Sequence, residues 1–177
     1  MIRIAGLLAV SIASLAQAQA VLFPKGTWTV QSYAGYAAEN KEALFSGTVG
    51  AGYCIFDNFA LNLEGIGYGI VQDGPDTAAA GLQFIFRHHI VARDRWSIFA
   101  DVGESIFEAA DRVPPGGTRF NFVLRTGVGM TYELKSDVHL LAGVRYFHLS
   151  NAQIEGSERN PSINGIEGYV GVMFLMK

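Results

Sequence analysis

Residues 138–151 read Val-His-Leu-Leu-Ala-Gly-Val-Arg-Tyr-Phe-His-Leu-Ser-Asn, and His148 and Ser150 are the pair in this chain best suited to nucleophilic chemistry. An imidazole two residues before a hydroxyl can act as its general base, turning a weak nucleophile into one that attacks an acyl ester. Residues two apart on a strand point the same way, so the pair shares a face with Val138, Leu140, Ala142, Val144 and Tyr146. An apolar stripe that ends in His and Ser suits an ester carried on a greasy chain. The base needs a third group to hold its ring in one tautomer. Glu167 is the expected one: it lies opposite His148 if the segments carrying them pair at those positions, a register that also sets Tyr146 against Tyr169. Glu155 and Glu158, between the two segments, are alternatives. The spacing alone is a weak signal, because polar pairs at strand ends are ordinary.

The elements that position this pair are strands. Segments of about ten residues or more with period-two alternation occur at 26–37, 44–56, 59–72, 78–92, 96–109, 119–134, 138–151 and 164–176. From Phe120, one face carries Phe120, Phe122, Leu124, Val128, Met130 and Tyr132, and the other Asn121, Arg125, Thr131 and Glu133. Leu82, Phe84, Phe86 and Ile90 likewise oppose Gln83, Arg87 and His89, and Leu61 and Leu63 oppose Asn62 and Glu64. Glu104 departs from this pattern by falling on the apolar face with Ile98, Ala100 and Val102. Tight turns at 56–58, 93–95 and 135–137 alternate with longer connections at 38–43, 73–77, 110–118 and 152–163. An even strand count with short turns at one end and long loops at the other predicts an all-β, eight-stranded antiparallel transmembrane barrel. The apolar faces then meet lipid, and the polar faces fill a lumen too narrow for a channel. His148 and Ser150 fall on the lipid side, near the extracellular end, where a polar pair is tolerated far better than at the bilayer centre.

Composition agrees. The chain of 177 residues is 50% hydrophobic and only 16% charged, with 21 glycines. After residue 20 it has no unbroken apolar run of the roughly 18 residues that a spanning helix needs. Residues 1–20, Met1-Ile2-Arg3 followed by an apolar stretch and Ala-Gln-Ala-Gln-Ala, read as a signal peptide cleaved after residue 18 or 20. Residues 21–177 then form a single barrel domain. The net charge of −3 argues against nucleic-acid binding. His88 and His89 are adjacent and face opposite sides of a strand, so they cannot chelate one ion together. The lone Cys54 reads as a small strand residue, and Trp28, Tyr53, Trp96, Tyr132 and Tyr146 as wall or girdle residues.

The run Arg145-Tyr146-Phe147-His148-Leu149-Ser150-Asn151-Ala152, followed by Asn160-Pro161-Ser162-Ile163-Asn164-Gly165-Ile166-Glu167, resembles the C-terminal signature of the PagL family of lipid A 3-O-deacylases. That resemblance implies a serine esterase of the cell outer membrane that removes the 3-O-linked acyl chain of lipid A in the outer leaflet. It assigns Ser150 as nucleophile, His148 as base, Glu167 as orienter and Asn151 as oxyanion donor. It implies no cofactor and no metal, with lipopolysaccharide as the partner and a homodimer left open. Arg159 is a candidate contact to the sugar or phosphate of the substrate. Gln153 stands where many relatives have Gly, Ser162 where an Asn-Pro-Gly turn is common, and the end Phe174-Leu175-Met176-Lys177 lacks a terminal aromatic. The alternatives are a noncatalytic barrel serving adhesion or membrane integrity, and a hydrolase acting on phospholipid or another acyl ester.

Overall fold

Alternation of this kind has one stable outcome when the apolar face meets hydrocarbon: every backbone group must bond within a closed sheet. The computed structural model describes residues 20–39 and 42–176. The expected leader lies outside the described residues except for Ala20. The strands are β1 (Trp28–Glu39), β2 (Glu42–Phe56), β3 (Phe59–Val71), β4 (Thr77–Arg93), β5 (Trp96–Val113), β6 (Thr118–Lys135), β7 (Val138–Ser150) and β8 (Ile163–Met176). Each pairs antiparallel with its sequence neighbours, and β1 closes the barrel against β8.

At one end the hairpins turn through two residues, Asp57-Asn58, Asp94-Arg95 and Ser136-Asp137. Asn58, Asp94 and Asp137 have φ of 60°, 25° and 66°, a region that Asn and Asp tolerate better than other side chains. Residues 20–27 fold across this same end. The Asn58 side-chain oxygen receives the amides of Leu22 and Phe23 at 3.1 and 3.2 Å, and the fully buried Phe23 stacks on His89 at 3.9 Å. This plug was not expected from the sequence. At the other end the β5–β6 connection is shorter than predicted, only residues 114–117, because pairing runs on to Val113 and Thr118. The 38–43 connection narrows to residues 40 and 41, which lie outside the described residues.

Side chains fill the lumen. Among the described residues the fully buried Lys, Arg, Asp and Glu are Arg87, Arg125, Arg145, Glu64, Asp101 and Glu167, three of each sign, so these six together are formally neutral. Arg87 grips Asp101 through two bonds of 2.9 and 3.1 Å, and Arg145 reaches the same carboxylate at 3.0 Å. The Tyr33 hydroxyl donates to Glu64 at 2.5 Å, and the amides of Gln31 and Gln83 donate to that carboxylate as well. Glu104 points outward, as expected. Outside, Trp28 faces Tyr53 and Trp96 faces Tyr132 at the tight-turn end, an exposed aromatic border of the kind that marks a membrane interface.

Candidate active site

The last rungs of β7 carry the pair. Leu124 of β6 opposes His148, and Phe122 opposes Ser150. Both polar side chains therefore lie on the lipid-facing side, at the end from which the longest described connection, 151–162, departs. His148 is half-buried, and Ser150 keeps 9% exposure. Among the described residues no hydrogen bond joins the ring to Ser150; such bonds commonly tighten only when substrate is bound. Along the ladder row of His148 the outward residues run Phe84, Glu104, Leu124, His148, Asn164. The outlying Glu104 thus stands in the same ladder row as the site, two strands away.

The expected place of Glu167 is corrected by the register. His148 pairs with Asn164, Glu167 with Arg145, Tyr146 with Ile166 and Tyr169 with Gly143. The predicted register was offset by three residues, and an odd offset moves every side chain to the opposite face. Glu167 is buried in the lumen, where it accepts from Ser46 Oγ at 2.5 Å and pairs with Arg125 at 3.4 Å. Gly35 leaves room for it, since a Cβ there would stand 2.4 Å from Glu167 Oε1. The physical reason lies in β8 itself. This register turns Ile166, Val170, Val172 and Phe174 to lipid and keeps the carboxylate and the Tyr169 hydroxyl inside; the other would invert that choice. The group that meets the ring is Asn164, whose Oδ1 is 2.7 Å from His148 Nδ1.

Asn151 is buried and committed to the loop. Its Nδ2 donates to Thr118 Oγ1 at 3.1 Å and to the Arg159 carbonyl at 2.6 Å, and its Oδ1 accepts the Gln153 amide at 2.9 Å. Its own backbone amide donates to Asn160 Oδ1 at 2.9 Å. Ala152 and Gln153 have φ of 51° and 62°, a region that favours glycine. Arg159 bonds to Glu155 on the outer part of the loop and stays well exposed. Glu158 is exposed on a one-turn 3-10 helix, Ser157–Arg159. Sequence reasoning missed Asn164 and Asn160; the alternation of β8, apolar on even positions from Ile166 and polar at Glu167 and Tyr169, was the signal that could have found the first.

Below the pair, toward the bilayer centre, the wall is hollowed. A cavity of about 280 Å³ is lined by Thr126, Val128, Val144, Tyr146 and Ile166. It shares Val128 and Val144 with one of about 780 Å³ lined by Met130, Ala142, Gly168 and Val170 among others. The combined trough is shallow and open to the side, predominantly apolar with Thr126, Arg145 and Tyr146 at the end nearer His148, and it leads away from that residue along β7.

The barrel is similar in fold to Neisserial surface protein A, at 17% identity over 85% of this chain and 99% of that one, with a TM-score of 0.63. It is also similar to the N-terminal barrel domain of Pseudomonas aeruginosa OprF, at 12% identity over 87% and 100%, TM-score 0.57. The outer membrane protein AlkL is similar at 11% identity over 90% and 94%, TM-score 0.50. A sequence search against curated proteins finds no match. The sequence profile of one family, described as lipid A 3-O-deacylase (PagL), matches residues 17–173.

Proposed function

Because this chain belongs to the lipid A 3-O-deacylase (PagL) family, and so is an outer-membrane eight-stranded barrel, we propose that Ser150 and His148 cleave the 3-O-linked acyl ester of lipid A. The observation that carries the reading is their position: a nucleophile and a base on the lipid face, at the loop end, above an apolar trough. Its cavities fall in or near the range of roughly 300–1,000 Å³ common for small-ligand sites. A fatty chain lying in the trough brings its ester to the polar rim.

The chemistry follows acyl transfer. Ser150 Oγ attacks the ester carbonyl carbon while its proton passes to His148 Nε2. The tetrahedral adduct collapses, the bond from carbonyl carbon to sugar oxygen breaks, and the imidazolium returns the proton to that oxygen. Water, deprotonated by the same ring, then cleaves acyl-Ser150 and frees a 3-hydroxy fatty acid. Preorganised amide donors stabilise the oxyanion by a few kcal/mol. With both amide protons of Asn151 given to the loop, we assign that residue to holding the turn after the nucleophile. Asn160, tied by its oxygen to the Asn151 amide, is the side chain assigned to donate. Arg159 serves an anionic headgroup by exchanging its bond to Glu155.

The test is mass spectrometry of lipid A from cells that express the intact chain or its Ser150→Ala variant. Loss of one 3-hydroxyacyl group with the intact chain alone supports the reading. Equal loss with both chains, or none with either when folded protein is in the membrane, rejects it.

A further inference from the structure

We infer that the group orienting the His148 ring is a neutral amide, Asn164, steadied by Tyr146, and not a carboxylate; this rests on reading Ser150 and His148 as the reacting pair. His148 Nδ1 is 2.7 Å from Asn164 Oδ1, and the Tyr146 hydroxyl donates to the same oxygen at 2.8 Å. A carbonyl oxygen offers two lone pairs, and both are used. The amide's orientation has its own anchor: Asn164 Nδ2 donates to Ser162 Oγ at 3.5 Å, which turns the oxygen toward the ring. An amide oxygen can only accept. Nδ1 therefore carries the proton in the neutral ring, and Nε2 is left with the lone pair that takes the Ser150 proton.

The register makes this arrangement part of the barrel. Residues 148 and 164 are direct ladder partners, and Tyr146, opposite Ile166, is the diagonal neighbour of Asn164, within reach of a long side chain. The three acidic candidates, Glu167, Glu155 and Glu158, do not meet the ring. Glu167 is behind the wall with Ser46 and Arg125, Glu155 is paired with Arg159, and Glu158 is exposed on its helical turn. Glu104 is in the same ladder row, but β6 and its Leu124 stand between it and the ring, about 10 Å across two strand spacings.

The substitution of amide for acid has a physical logic at this place. A carboxylate on a lipid-facing wall is costly while the ring is neutral. Asn164 supplies the same directed acceptor with no charge of its own. The imidazolium formed when Ser150 gives up its proton rests against an amide dipole. Asn164 and Tyr146 are positioning residues, because they act on the ester only through the ring.

The test follows the ionisation of His148 in the full barrel in detergent micelles, by NMR of protein labelled with ¹⁵N-histidine, beside the pH dependence of ester cleavage. Asn164→Asp places a charge at Nδ1 and raises both the ring's titration midpoint and the acid limb of kcat/KM by about one pH unit or more. Asn164→Ala releases the Nδ1–H tautomer and lowers kcat about 10²-fold with KM unchanged. Tyr146→Phe gives a smaller loss of the same kind, and Glu167→Gln leaves titration and pH profile where they were. No shift in Asn164→Asp, or a shift in Glu167→Gln, overturns the inference. The ring titration needs no substrate. An inactive wild type, or a fully active Ser150→Ala, therefore strikes the proposed function alone, and the titration still decides the role of Asn164.

Discussion

The lumen and the lipid-facing wall are built from alternate residues of the same strands, yet they treat polar groups in opposite ways. Inside, three arginines and three carboxylates are buried together and tolerated because each finds partners of opposite sign or hydrogen-bonding type. Outside, polar side chains are sparse, and His148, Ser150 and Asn164 gather at the loop end of β6–β8. Neighbours in sequence are thus assigned unrelated work by parity. Glu167 holds the interior together, while Ile166 beside it lines the trough. A carboxylate near the proposed catalytic pair in sequence faces away from it when it stands an odd number of positions from the pair's ladder partner.

Four substitutions probe that contrast, the first with the greatest effect. Ser150→Ala abolishes ester cleavage, a fall on the order of 10³-fold or more, with no change in the temperature at which the barrel unfolds in semi-native electrophoresis. Glu167→Ala does the reverse. It removes the carboxylate partner of the buried Arg125 and costs on the order of 3 kcal/mol, read in the same electrophoresis, while surviving folded protein keeps its pH profile. Gly168→Phe tests the wall without touching the lumen, because a Cβ there meets open space and the residue lines the larger hollow. It shortens the preferred acyl chain, with about tenfold loss of kcat/KM on the longest substrates, measured by competition among lipid A species. Gln153→Gly relieves a left-handed backbone and stabilises the 151–162 loop by about 1 kcal/mol, seen as slower amide exchange there with a near-normal rate of cleavage.

The fold was legible because alternation is redundant: a strand such as β6 repeats its message over Phe120, Phe122, Leu124, Val128 and Met130, so one ambiguous residue does little harm. The lipid-facing position of His148 and Ser150 was legible for the same reason, as the end of the stripe from Val138 to Tyr146. The partner of the ring was not. It depends on one integer, the offset between β7 and β8, and the length of the 151–162 connection leaves that integer free. Weighing Glu167 and Tyr169 against Val170, Val172 and Phe174 fixes the parity of β8, and parity alone excludes Glu167 from the wall. The commitment of the Asn151 amide to Thr118 and Arg159 is a tertiary contact with no trace in local spacing. The Phe23 plug is of the same kind, since the short run Val21-Leu22-Phe23 carries no instruction to enter a barrel mouth.

On the proposed reading, a catalytic pair on the outside of a cylinder receives its reactant sideways. The ester arrives by diffusion within a leaflet, so the concentration that matters is a number of molecules per unit of surface. Diluting the aqueous volume around fixed vesicles or micelles leaves the rate per barrel unchanged, whereas adding inert detergent to the same volume spreads the lipid over more interface and slows it. In the proposed reaction the water that completes the turnover comes from the other direction, from the solvent above the loop end, and Ser150 is the point at which the two supplies meet.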